Sequence, residues 1–104
     1  MRRFALAKIP WDGDGDPVRS KLEESLLEEG FDPFAWVDEP GKQYDAHAHS
    51  HDETIWILRG SMRFTVGAQV FDLGPGDRLT LPRASQHEAK AGAEGCEYLV
   101  GQKR

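Results

Sequence analysis

Thiol chemistry is nearly absent from this 104-residue chain. Cys96 is its one cysteine, so an intramolecular disulfide and a thiolate-bound zinc are both excluded. Cys96 reads as a small buried apolar residue in a late strand. Long hydrophobic runs are missing too. No stretch approaches the ~20 apolar residues of a membrane span. The start, Met1-Arg2-Arg3-Phe4-Ala5-Leu6-Ala7, lacks the apolar run of a signal peptide. The expected compartment is the cytoplasm, with no membrane partner. Positive charge is in deficit: 13 Lys and Arg against 18 Asp and Glu give a formal net charge of −5. That argues against a nucleic-acid partner, which needs a basic face.

What is present describes one ordinary folded domain, with 38% hydrophobic and 30% charged residues. Two textures divide it: an N-terminal strand and helix extension over residues 1–33, and a strand-rich barrel over 34–104. In the extension, Asp16-Pro17 suits a helix start, with Asp as cap and Pro in the first turn. Val18, Leu22 and Leu26 recur every four residues, and Gly30 closes the pattern. Glu23, Glu24, Glu28 and Glu29 form its solvated face, which makes one amphipathic helix. Asp12-Gly13-Asp14-Gly15-Asp16 looks like a calcium loop, but no Glu follows at the spacing such a loop needs, so it is read as a flexible acidic turn.

After Pro33 the signals are those of an all-β fold. Strands are expected over Phe34 to Val37, Thr54 to Leu58, Met62 to Val66, Gln69 to Leu73, Arg78 to Leu81, Gln86 to Lys90 and Cys96 to Val100, in a set of about eight. Gly67-Ala68 suits a two-residue hairpin loop, and Gly74-Pro75-Gly76-Asp77 places Pro then Gly where a type II turn wants them. Many short strands with Gly and Pro turns imply a sandwich or barrel.

Three of the four histidines fall within five residues, as His47-Ala48-His49-Ser50-His51, with Glu53 close behind and His87 far along the chain. Imidazole and carboxylate together hold divalent transition metals without thiolate. On a strand, His47 and His49 share a face. Glu53 would lie about 13 Å beyond His49 if the chain stayed extended, too far for one ion. A metal site therefore requires a reversal at Ser50-His51-Asp52, which Ser and Asp permit. His51 then sits in the turn, at the mouth of the site.

These residues carry a resemblance to the cupin family. The first cupin motif, Gly, five residues, His, one, His, three, Glu, six, Gly, is matched by Gly41, His47, His49, Glu53 and Gly60. The second, Gly, five, Pro, one, Gly, two, His, three, Asn, is matched by Gly76, Pro82 and His87, with Ala84 and Ala91 standing where Gly and Asn are usual. The resemblance implies a jelly-roll β-barrel holding one divalent metal through His47, His49, Glu53 and His87. Nitrogen-rich ligation with one carboxylate suits Mn, Fe, Co, Ni, Cu or Zn and does not choose among them.

Strand alternation gives an expected cavity wall. With Glu53 pointing inward, Ile55 and Ile57 follow it, while Thr54, Trp56 and Leu58 point outward. Met62, Phe64 and Val66, Leu79 and Leu81, and Tyr98 and Val100 form further apolar sets. The pocket set is therefore His51, Ile55, Ile57, Phe64, Leu81 and Tyr98, with Trp36 and Tyr44 nearer the rim. The outward pair Trp56 and Leu58 needs cover, from the helix or from a second subunit. Cupins commonly pair, so a homodimer burying that face is expected. The function implied is that of a metal-binding small cupin with a small-molecule ligand. It is either a metal-dependent oxygenase or isomerase, or a non-catalytic binding barrel serving as sensor or store.

Overall fold

In the computed structural model, residues 4–103 are described; Met1-Arg2-Arg3 and Arg104, at the outer ends of the expected extension and barrel, lie outside them. Seven strands and one helix follow in the order β1 (Ala7–Ile9), α1 (Arg19–Glu28), β2 (Phe31–Asp38), β3 (Gln43–His47), β4 (Glu53–Val66), β5 (Gln69–Leu73), β6 (Arg78–Leu81) and β7 (His87–Lys103). All strand pairs are antiparallel. The ladder runs β1-β6-β4-β7-β2, with β3 on β7 and β5 on β4.

Two long strands replace four shorter ones. The runs expected to break at Gly60 are one strand, β4, and the runs expected before and after residues 91–95 are one strand, β7. The signals for breaks were real, since the β4–β7 register shifts between Ile57 and Arg59 and between Gly60 and Met62. They mark bulges, not ends. Gly60 has φ +77° and Gly95 φ +79°, and a side chain on Gly60 would collide with the Gly95 carbonyl. Two bare backbones therefore cross where both strands bend. Before the bend, β4 pairs with β6 and the second half of β7; beyond it, with β5 and the first half of β7. The ladder is an open jelly-roll sheet folded on itself.

The two halves face each other across one apolar cluster, which includes Ile55, Ile57, Met62, Phe64, Leu73, Leu79, Leu81 and Tyr98. Ile57 and Leu79 are fully shielded from water, each a burial of about 1.5–3 kcal/mol. The opposite face of β4 carries Leu58 and Trp56 into a second cluster with Leu22 and Leu26 of α1, Phe31 and Leu99. The helix is thus the cover for that face. The reason given for a homodimer, an uncovered Trp56 and Leu58, is corrected by this packing.

α1 begins later than Asp16-Pro17 implied. Its N-cap is Val18, extended and without a side-chain cap, and Val18 is half-exposed. Leu22 and Leu26 alone hold the buried stripe. At the far end Gly30 takes φ +91°, as a closing Gly should. Arg78 fastens this end: its guanidinium forms paired bonds of 2.9 and 2.8 Å to Glu29, donates 2.7 Å to Thr54 Oγ1, and stacks 4.7 Å from the Trp56 ring. That arrangement holds the Glu29 carboxyl below its ordinary range, mainly through the hydrogen bond from Arg78 and against partial burial.

Candidate metal centre

His47 closes β3 and Glu53 opens β4, so the chain reverses within residues 48–52. His49 lies in that reversal, just past the strand end. The turn is tied to the segment before β7: Ala84 N–H donates 2.8 Å to the His49 carbonyl, and Arg83 N–H donates 2.8 Å to Asp52 Oδ1. His87, first residue of β7, pairs in register with His47. Chain positions forty residues apart thereby meet.

The ligating atoms of His47, His49 and His87 lie within 4.8 Å of one another. Ring centroids stand 4.8 Å apart for His47–His49, 4.5 Å for His47–His87 and 5.6 Å for His49–His87. Glu53 Oε1 is 3.4 Å from His49 Nε2. Two donors each about 2.1 Å from one ion stand about 3.0–3.4 Å apart at octahedral or tetrahedral angles, so this pair fits a shared ion. Without an ion the same contact becomes an ion pair whenever His49 is protonated.

Tautomers are fixed by the backbone. His47 Nδ1 is 2.8 Å from the Asp45 carbonyl, and His87 Nδ1 is 3.0 Å from the Ser85 carbonyl. A carbonyl only accepts, so in each neutral ring Nδ1 carries the hydrogen and Nε2 keeps its lone pair. This is the outer-shell contact that metal-binding imidazoles require. Burial holds the His87 pKa below its ordinary value, with His47 and His49 adding to the effect against the Ser85 contact and Glu53. Its neutral form therefore persists to lower pH. Glu53, 4% exposed, receives a 3.1 Å hydrogen bond from Gln102 Nε2 on Oε2. A carboxylate this buried, with imidazole as its other neighbour, is chemistry that a cation satisfies.

The four side chains open into a cavity of about 300 Å³ whose wall includes Phe34, Trp36, Ile55, Met62, Phe64 and Val100, with Tyr44, Tyr98, Ala89 and Gln102. Ile55, Phe64 and Tyr98 of the expected pocket set line it, as do the expected rim residues Trp36 and Tyr44. Ile57 and Leu81, expected on the wall, lie deeper in the core cluster instead. His51 is exposed in the turn, beside Ser50, and does not line the cavity. Gln102 was overlooked, although it continues the Tyr98, Val100 alternation by one step.

Behind the wall lies Asp38, 6% exposed. It accepts hydrogen bonds from Tyr44 Oη at 2.6 Å, Trp36 Nε1 at 3.1 Å and Tyr98 Oη at 2.6 Å. Burial, then the bond to Asp38, pushes both tyrosine pKa values up, that of Tyr98 far above the ordinary range. Cys96 is buried, its thiol pushed up to about 12 by desolvation first and then by Asp38. The motif position Ala84 keeps the backbone that glycine would supply, at φ +65°.

Residues 34–100 match the model of the cupin domain. No curated protein matches by sequence. Solved structures with the same fold include a cupin-2 domain containing protein from Shewanella frigidimarina, 20% identical, TM-score 0.63, aligned over 72% of each chain. KdgF from a Halomonas species is 19% identical with TM-score 0.62, over 72% of this chain and 71% of that one. The DMSP lyase DddQ from Ruegeria pomeroyi is 25% identical with TM-score 0.66, over 72% of this chain and 39% of that one. Likeness below 25% identity speaks for the fold, and the family match spans well over half of the sequence. The chain belongs to the cupin family.

Proposed function

We propose that this protein is a metal-dependent enzyme of the oxygenase or isomerase kind, acting on a small molecule in the cavity. One divalent transition metal, among Mn, Fe, Co, Ni, Cu and Zn, is held by His47, His49, His87 and Glu53. The observation carrying this reading is the pair of Nδ1-to-carbonyl contacts, which leave the Nε2 lone pairs of His47 and His87 free in the three-histidine group, with buried Glu53 next to His49. When bound, such a metal supplies Lewis acidity and open positions for a chelating substrate. Gln102 holds Glu53 in place. The wall of Ile55, Met62, Phe64 and Val100 excludes water and selects an apolar or aromatic body for the substrate.

A non-catalytic binding barrel is the second reading, and one observation favours it. Apart from the four proposed ligands, the protic side chains on the wall are Trp36, Tyr44, Tyr98 and Gln102, and both tyrosine hydroxyls are engaged with Asp38. Elemental analysis of untagged protein tests the site. About one metal per chain, lost in Glu53→Ala, is expected; metal retained by that variant would sink it. Dioxygen uptake with phenols and diketones, and product analysis by NMR, then separate enzyme from binder.

A homodimer and a cytoplasmic location remain part of this proposal. With Trp56 and Leu58 under α1, support for the dimer moves to β2, which ends the ladder and exposes Val37 on the face turned away from the cavity. Light scattering tests it. No helix among the described residues is long and apolar enough to cross a membrane.

A further inference from the structure

Period two along β2 puts Phe34, Trp36 and Asp38 on one face. Their ladder partners on β7 are Val100, Tyr98 and Cys96, and Tyr44 of β3 closes the group through its bond to Asp38. Four aromatic rings thus gather at one end of the cavity, away from the ladder pair of Glu53 and Gln102. Behind them sits a carboxylate with three neutral donors. Among the described residues, no Lys, Arg or His nitrogen forms an ion pair with Asp38.

Hydrogen bonds satisfy the lone pairs of Asp38 but leave its charge in place. The two tyrosines donate their hydroxyl hydrogens to Asp38, and the Tyr44 oxygen also accepts 3.2 Å from Trp36 Nε1, so neither hydroxyl has a hydrogen left to donate into the cavity. Indole and phenol rings add the negative face of the aromatic quadrupole. Each of the three contributions has the same sign. Exposed Lys42 holds its Nζ 5.4 Å from the Tyr44 centroid, a cation over one ring of the set. Phe34 and Trp36 are 41% and 50% exposed, which leaves this end open for entry.

We propose that the aromatic end of the cavity is a subsite for a small organic cation, an ammonium or quaternary ammonium group, bound by Trp36, Tyr44 and Phe34 over the uncompensated Asp38 carboxylate. The proposal rests on the cavity being a ligand site and does not need the metal. A ligand that also chelates would carry its anionic group at the histidine end and its positive group here.

Choline and its uncharged carbon isostere, in which tert-butyl replaces trimethylammonium, are the probes. Both are titrated calorimetrically into the full chain, metal-loaded and metal-free, so that attraction to a bare Glu53 is separated from attraction to Asp38. Choline should bind the loaded protein about tenfold more tightly than the isostere. Asp38→Asn should remove about that factor for choline and leave the isostere unchanged. Equal affinity of the two probes, or no choline binding at millimolar concentration, overturns the proposal. So does a folded Asp38→Asn protein that keeps its preference. Should that variant fail to fold, Trp36→Leu at the exposed rim must weaken choline several-fold, and an unchanged affinity is refuting. Metal content measured on the same samples keeps the two readings apart: a metal-free protein that prefers choline loses the metal centre and retains this subsite.

Discussion

Replacing Ala84 with glycine should stabilise the protein. Ala84 has φ +65° and is exposed, so its methyl group gains no burial from the left-handed backbone it occupies. An L-residue in that region costs roughly 1–2 kcal/mol relative to glycine. Glycine loses about 0.5–1 kcal/mol of the advantage through its freer unfolded chain. The expected net gain is about 0.5–1 kcal/mol, or a rise in Tm of about 2–6 °C for a domain of this size. Two measurements check it: a thermal melt by circular dichroism, and urea unfolding with an unchanged m-value. A lower Tm for Ala84→Gly would refute the reasoning. Ala84→Val should fall on the other side, because a β-branched residue tolerates positive φ poorly. The Ala84 amide bond to the His49 carbonyl survives both changes, so metal content should move little.

Gln102→Leu removes the donor to Glu53 Oε2 and should weaken metal binding about 10–100-fold, read by competition with a chromogenic chelator. Gly60→Ala would drive a Cβ into the Gly95 carbonyl at a left-handed position; a loss of at least about 2 kcal/mol, or insoluble protein on expression, is expected. Glu29 has a folded pKa below its unfolded value, so its contribution is present above the unfolded pKa and fades as pH falls through the folded one. Glu29→Gln should cost no more than about 1 kcal/mol at neutral pH, because the pair is partly solvent-screened, and its melting curve should converge with wild type in acid.

Much of this was legible because period two is a strong signal. The run Glu53 to Leu58 assigns alternate residues to an inward and an outward face, and the structure keeps the two faces, with Ile57 in the core rather than on the cavity wall and α1 over Trp56 and Leu58. The histidine spacing also demanded a reversal before Glu53, and residues 48–52 supply it. Harder to read was continuity. Gly60 and the Gly92–Gly95 stretch look like strand ends, yet each is a bend within a single strand, and only the crossing partner reveals which. The helix start also differs: Asp16-Pro17 had the right chemistry, but Val18 is extended at the N-cap and the helix runs from Arg19. Asp38 gave no local sign at all. Its partners lie 2, 6 and 60 residues away, and no window of sequence joins them.

The breadth of pairing along β7 has a consequence for how the molecule is made. β7 bonds to β2, β3 and β4, all synthesised before it. Until it docks, those three strands present open edges, which are the hazard of slow, non-local β folding. Three of the four proposed ligands, His47, His49 and Glu53, sit within one seven-residue span and can meet an ion early. His87 arrives only with the strand that closes the fold. An ion captured by the nascent chain would thus be held by a partial set first, and its final affinity would appear together with the native state.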